Sequence, residues 1–303
     1  MTDKIIVTGS SGLVGSRFVE LFHPKKLLNL PTEREMDITN KDSVAKLIEQ
    51  VNPGCIVNFA AYTDVGEAEK QRGDRDGSCW RINVEGVKNL VSVVAAKKIF
   101  FIQISTDNVF SGSREDKGPY DEGHLVEKDS DKLTWYGFTK AHAEKSAQEG
   151  LGEMAATLRI NYPVRANFTG KLDYFRKPLK LYDEGKLYPM FDNQQVTISF
   201  IDEVAEVIKK LIKHRFFGIY HASTADVTSP YELISYLLLK ARRVKNAVKS
   251  TSIDDFLTTV DNPVRYPKYG GLEVKTTQDT LGIKFLKCRQ VIDKLIIQGL
   301  SYT

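Results

Sequence analysis

Tyr136 and Lys140, four residues apart in the run WYGFTKAHAE, are the pair in this chain best placed to do chemistry. On a helix, positions i and i+4 share a face, so the phenol and the ammonium can project to one side. A free phenol titrates near a pKa of about 10. A neighbouring cation stabilises the phenolate, and a phenol tuned downward can pass a proton to a substrate oxygen. Thr106 ends the apolar run IFFIQIST and supplies a second hydroxyl. These three groups suit hydride transfer to a ketone. Tyr136 protonates the oxygen, Thr106 orients the carbonyl, and Lys140 has donors enough to hold a nicotinamide ribose.

That chemistry needs a dinucleotide, and the N-terminus offers a place for one. TGSSGLVG puts Gly9, Gly12 and Gly15 at three-residue intervals, between a strand and a helix. Gly9 suits a tight turn, Gly12 a close backbone approach to a pyrophosphate, and Gly15 close packing of helix on strand. Ser11, Leu13 and Val14 complete the candidate loop. NADP is favoured, with NAD as the alternative. Pro31 stands in LNLPTERE where an NAD-type site would carry a carboxylate. Arg17 and Arg34 are candidate phosphate partners. Asp37 and Ile38 are candidate adenine neighbours, although Asp37 can equally serve only to cap the next helix.

The elements that must position these groups alternate. Strands are expected over 4–9, 26–30, 55–61, 99–106 and 155–160, and helices over 12–22, 42–51, 83–96 and 135–148. This rhythm predicts an α/β fold: a Rossmann-type, doubly wound parallel sheet with both faces covered. The expected division is a dinucleotide-binding domain over 1–160, with 196–225 returning to it. A smaller C-terminal substrate-binding subdomain is expected over 161–195 and 226–303, packed against the carboxyl edge of the sheet. SPYE, residues 229–232, reads as a capping box opening a helix, and another helix is expected over 289–298.

Bulk properties narrow the classes. The chain has 303 residues, 42% hydrophobic and 27% charged, with a formal net charge of +4. No apolar run is long enough to span a bilayer, and the N-terminus does not read as a signal peptide, so a cytoplasmic protein without membrane partners is expected. Three dispersed cysteines and five scattered histidines give neither a disulfide framework nor a metal-ligand pattern. The basic run KARRVKNAVK (240–249) reads as a solvated helix end, so no nucleic-acid partner is expected.

Several runs, in order, resemble the extended short-chain dehydrogenases/reductases, and within them the dTDP-4-dehydrorhamnose reductase family. They are TGSSGLVG, MDITNKDSV, VNFAAYTDVGEAE, INVEGVKNL, ISTDNVFSG, PYDE, YGFTKAHAE, LRIN and RYPKYGGLEVKTTQDTLGI. The resemblance spans nearly the whole chain. It implies a catalytic trio of Thr106, Tyr136 and Lys140. It places Asn58, Ala60, Ala61, Tyr62 and Ser105 at the cofactor beside the loop, gives Asn83 a supporting role, and sets Thr63, Asp64 and Val65 at the sugar with Asp107, Asn108 and Tyr162. The implied reaction is NAD(P)H-dependent reduction of the 4-keto group of a nucleotide-linked 4-keto-6-deoxyhexose. A homodimer is compatible with the resemblance. Gly66, Asn108, Tyr162 and the pair Val164-Arg165 depart from the family's pattern. All border the sugar, and so leave its identity open. Another nucleotide-sugar epimerase or ketoreductase, or a non-catalytic NADP-binding regulatory subunit, are the competing implications.

Overall fold

The computed structural model describes residues 3–302. A six-stranded sheet organises the first of two compact units. Its strands are β1 (Ile5–Thr8), β2 (Leu28–Asn29), β3 (Cys55–Asn58), β4 (Phe100–Thr106), β5 (Ala155–Ile160) and β6 (Gly218–Ala222), in the spatial order β2-β1-β3-β4-β5-β6. The β2–β1, β1–β3 and β3–β4 pairs are parallel. The chain runs from β1 outward to β2, then crosses back to β3 on the other side of β1. That reversal makes the carboxyl end of β1 a topological switch point, the place where doubly wound sheets bind ligands.

Four helices of this unit matter for the site: α1 (Leu13–Leu21), α2 (Lys41–Val51), α3 (Gly86–Lys97) and α4 (Trp135–Leu151). Every residue of β1, β3, β4 and β5 is buried, as strands covered on both faces require. Ile6, Ile56 and Phe101 pack in one cluster with Val44 and Ile48 of α2, Leu90 and Val94 of α3, and Ala147 of α4. Phe18 of α1 meets Phe22 and Phe59 at ring separations of 5.4 and 5.6 Å. Helix α2 starts where Asn40 accepts from the amides of Asp42 and Ser43, and ends at Asn52 in the left-handed region.

Two expected elements differ. The second strand is shorter than residues 26–30, because Lys25–Leu27 form a 3-10 turn and only Leu28–Asn29 pair with β1. Proline at 31 has no amide to extend the ladder. The helix expected over 83–96 does not begin regularly. A short helical turn, Ser78–Trp80, passes into a π-helical turn, Arg81–Glu85, before α3 proper. Such bulges admit an extra residue and redirect side chains.

Among the described residues the second unit comprises 110–124, 160–204 and 221–302. Short parallel pairings join Pro163–Val164 to Ser199–Phe200 and Met190–Phe191 to Ser250–Thr251. Its core gathers Phe175, Leu179 and Ile198 with Leu233 and Leu237 of α6 (Pro230–Arg242) and Val291 and Leu295 of α7 (Cys288–Ile297); α5 (Ile201–His214) precedes these in the chain. Ser229 caps α6 through the Glu232 amide as expected, while the Glu232 carboxylate accepts from Thr228 Oγ1 at 3.2 Å. Inclusion of residues 110–124 has a visible cause. Gly118 and Tyr120 donate their amides to the Tyr269 and Gly271 carbonyls, and Glu122 accepts from both the amide and the hydroxyl of Thr277. The basic run at 240–249 is partly neutralised: Lys240 pairs with Asp293 at 2.9 Å, and Arg242 grips Asp183 through two bonds of 2.8 and 2.6 Å.

Beneath α4 lies a buried ion pair. Arg159 of β5 donates to both carboxylate oxygens of Glu144 at 2.9 and 2.7 Å, with side chains 0% and 2% exposed. Removing one partner strands a buried charge. Arg159→Met is therefore expected to cost about 3–5 kcal/mol in urea unfolding, and Arg159→Met with Glu144→Leu to recover much of that loss.

Candidate active site

Three polar side chains tie the carboxyl ends of neighbouring strands together. Thr8 donates to Asn58 Oδ1 at 2.5 Å, Asn58 Nδ2 donates to Gln103 Oε1 at 2.9 Å, and Gln103 Nε2 reaches the Ile104 carbonyl at 2.9 Å. The strand register sets Thr8, Asn58 and Gln103 side by side, so the chain of bonds follows from the sheet itself. Asn58 was expected beside a cofactor. Its side-chain amide bonds the two adjacent strands, and Thr8 Oγ1 also accepts from the Ala60 amide at 3.2 Å in the following loop, where Ala60 and Ala61 are half-buried.

The glycine loop has the geometry of a phosphate cradle. Gly9 has φ +61°, and a Cβ there would lie 2.7 Å from the Ala60 nitrogen. A Cβ on Gly15 would strike the Gly9 carbonyl oxygen. Helix α1 starts at Gly12 in extended conformation with no side-chain cap, leaving its amide-rich end to an outside acceptor. Ser11 is exposed, and Leu13 and Val14 are half-buried around this end. At the end of β4, two strands across the sheet from β1, the Ser105 hydroxyl is buried with no hydrogen-bond partner. Together these features fit a bound dinucleotide. Arg34 is exposed, whereas Arg17 pairs with Glu20 at 3.0 Å. Asp37 accepts from the Thr39 amide and hydroxyl at 2.8 and 2.7 Å, beside buried Ile38, so its carboxylate braces the turn into α2.

Thr106 is the last residue of β4 and is buried. Its hydroxyl accepts from the Asn108 amide at 3.2 Å and the Asn108 side chain at 3.0 Å, and donates to Asp107 at 3.3 Å. The start of α4 is pinned against this turn. Thr134 caps the helix by accepting from the Gly137 amide at 3.0 Å, and Glu69 accepts from the Trp135 amide at 2.9 Å. A Cβ at Gly137 would overlap the Asn108 carbonyl oxygen. Only glycine allows the helix this close, which sets Tyr136, the residue before it, beside the turn that follows Thr106.

Lys140 lies one turn on. It is buried, and its ammonium donates to the Ile104 carbonyl at 2.7 Å. Burial lowers its pKa to about 8, with Glu144 and Cys79 pulling the other way. The expected depression of the Tyr136 pKa is not found. Burial and then the Asp107 carboxylate push the phenol above its ordinary value, a Thr106 hydrogen bond pulls it partly back, and Cys79 adds a small upward push. The Lys140 ammonium is directed at the strand carbonyl, and the nearest full charge acting on the phenol is negative.

Asn83 supports this cluster from the π-helical turn. Its oxygen accepts from the Tyr62 amide at 2.8 Å, while its nitrogen donates to the Tyr62 carbonyl at 3.1 Å and to Thr139 Oγ1 at 3.0 Å. Thr139 in turn donates to the Tyr136 carbonyl at 2.8 Å. Val65 begins a short helix, Val65–Glu69, capped by Asp64, which accepts from the Glu67 amide at 3.0 Å. Asp64 is thus a capping residue in this loop, with Thr63 exposed before it and Gly66 within the helix. Tyr162 belongs to the second unit. It adopts φ +37°, and its ring lies 4.4 Å from that of Tyr174. Among the described residues no cluster of His, Cys, Asp or Glu could hold a metal ion. No helix there is long and apolar enough to cross a membrane.

Sequence reasoning overlooked Gly137, Thr134, Gln103 and the Glu144–Arg159 pair. Two of these carried signals. A glycine in the first turn of a helix costs helical stability and asks for a packing reason, and a threonine just before a helical run marks an N-cap.

Gly137→Ala is expected to cost about 1–3 kcal/mol by overpacking against backbone. It should lower turnover while leaving dinucleotide affinity, read by fluorescence titration, near wild type. Lys140 supplies a pH prediction. Its folded pKa lies below the unfolded value of 10.5, so its burial destabilises the fold at pH below about 8. That penalty is relieved as pH rises through the window from about 8 to 10.5, because the unfolded chain there binds more protons. Lys140→Met should remove this rise, giving roughly 3 kcal/mol more stability at neutral pH and a smaller advantage at pH 9.5 in matched unfolding curves.

Comparison with known proteins agrees with this geometry. The RmlD substrate binding domain model matches residues 3–300. A dTDP-4-dehydrorhamnose reductase of Aggregatibacter actinomycetemcomitans is 25% identical, over 93% of this chain and 94% of its own. A dTDP-4-keto-6-deoxy-D-glucose reductase of Streptomyces niveus is 27% identical over 77% of each chain. The crystal structure of dTDP-4-dehydrorhamnose reductase from Bacillus anthracis in complex with NADP superposes with a TM-score of 0.84 at 24% identity, covering 98% of this chain and 99% of that one. A doubly wound sheet with its glycine loop at the switch point, matched from end to end by one family model, places the chain in the RmlD substrate binding domain family.

Proposed function

We propose that this protein is an NAD(P)H-dependent reductase that converts the 4-keto group of a nucleotide-linked 4-keto-6-deoxyhexose to an alcohol, with dTDP-4-dehydrorhamnose as substrate and NADP as the preferred dinucleotide. The relatives named above act on such sugars, and the Bacillus anthracis structure holds NADP. The observation that carries the reading is the junction of β4 and α4, where Gly137 lets the first turn of the helix, with Tyr136, lie against the turn that follows Thr106, one helical turn from buried Lys140.

The reduced dinucleotide, when bound, supplies the hydride that goes to carbon 4 of the sugar. Gly9, Gly12 and Gly15 and the open end of α1 would receive its pyrophosphate, Ser105 would lie beside it, and Lys140 would hold its ribose through donors additional to the Ile104 bond. Tyr136 gives its proton to the ketone oxygen as negative charge develops there, and recovers one from solvent afterwards. Thr106 donates a hydrogen bond to the same oxygen. A phenol held above its ordinary pKa stays protonated at neutral pH, the form that reduction requires. Val65, Asp107, Asn108 and Tyr162 are proposed to contact the sugar nucleotide. The test follows NADPH absorbance with dTDP-4-dehydrorhamnose added. Wild type should consume NADPH, and Tyr136→Phe should reduce turnover by about 10²–10⁴-fold with cofactor affinity retained. Undiminished consumption in that variant would remove Tyr136 from the reaction.

A further inference from the structure

We propose that Asn108 is a positioning residue that fixes the Thr106 hydroxyl as a hydrogen-bond donor and so sets the direction of hydrogen bonding through Thr106 and Tyr136 to the reacting oxygen. The proposal rests on the reductase reading for its consequence in turnover, but its hydrogen-bond geometry stands separately.

Thr106 Oγ1 receives two bonds from one residue, from the Asn108 backbone amide at 3.2 Å and from Asn108 Nδ2 at 3.0 Å. The orientation of the side-chain amide is fixed chemically. Nδ2 also faces Asp107 Oδ1 at 3.2 Å, and a carboxylate can only accept, so the nitrogen must lie on that side. A threonine hydroxyl has two acceptor sites and one hydrogen. With both acceptor sites filled, Thr106 can only donate. Its bond to Asp107 is long, at 3.3 Å, and that same carboxylate oxygen already receives Nδ2. The hydrogen is therefore available to a better acceptor, either the phenol oxygen or a ketone oxygen brought beside it. Tyr136 has no acceptor on Thr106 to draw its own proton back, so that proton stays directed to the substrate.

Asn108→Asp gives a clean contrast, because it keeps the shape and replaces a donor by an acceptor. The carboxylate would take the Thr106 hydrogen, and turnover is expected to fall about a hundredfold, in the range for losing one preorganised donor, with KM for NADPH unchanged. Asn108→Ala, which only frees an acceptor site, should lose about tenfold, the equivalent of one hydrogen bond. In both variants Tyr136 should titrate at higher pH than in wild type, read as the tyrosinate absorbance difference against a Tyr136→Phe blank. The shift should be larger for the aspartate, whose charge adds to that of Asp107, with Lys140 on the same helix unchanged. Wild-type turnover and phenol titration in Asn108→Asp would overturn the proposal. If wild type reduces no nucleotide sugar, yet both titrations move upward as stated, the reductase reading fails and the positioning role of Asn108 is upheld.

Discussion

The structure depends on one close approach: the first turn of α4 lying against the carbonyl of Asn108, with no side chain at Gly137 to hold them apart. Helix α4 carries the half-buried phenol and, at four-residue steps, the buried ammonium and Glu144, and β4 ends in the threonine and the turn beside them. The separation of helix and strand decides whether these groups form a site or two unrelated polar patches. Thr134, Glu69 and Thr139 each fix the helix from a different direction, and Asn83 passes the restraint on to the loop after β3. Over-determination of this kind is what placement of reacting atoms to within a fraction of an ångström requires.

The buried polar groups around this contact have opposite electrostatic tasks. Arg159 and Glu144 neutralise one another inside the sheet–helix interface. Lys140, one turn before Glu144 on the same helix, bonds the Ile104 carbonyl of β4, and its proton is weakened by burial. The phenol beyond it is held neutral by burial and by Asp107. An acid and a cation so tuned differ from the pair suggested by the helix spacing alone. Spacing states that two side chains share a face. It does not state which carbonyl the ammonium will choose, or that a carboxylate follows the threonine closely enough to outweigh it.

Much of the fold was legible because periodicity and punctuation agreed. The Ala155–Ile160 strand, the capping serine at 229 and the glycine loop were readable from local residue types. The division of the chain was less so. The return of 110–124 to the second unit rests on pairings with Tyr269, Gly271 and Thr277, contacts more than a hundred residues distant that no local pattern encodes. The irregular entry to α3 was hidden for a related reason. A π turn preserves helical composition and differs only in which way Asn83 points, and this depends on the Tyr62 backbone it meets. The Asn58 side chain serves the strand ends and that of Asp64 a helix cap, bonds that depend on partners which local spacing does not name.

The sheet closes late in the chain. Strand β6 begins at Gly218 and lies beside β5, which ends at Ile160. During synthesis from the N-terminus, the outer edge of β5 must wait for more than fifty further residues to emerge before its lasting neighbour exists. In that interval AATLRI offers a row of unpaired backbone N–H and C=O groups to any passing strand. Nascent chains stalled between these two points are the form of this protein most exposed to mispairing, and the ones for which chaperone capture would matter most.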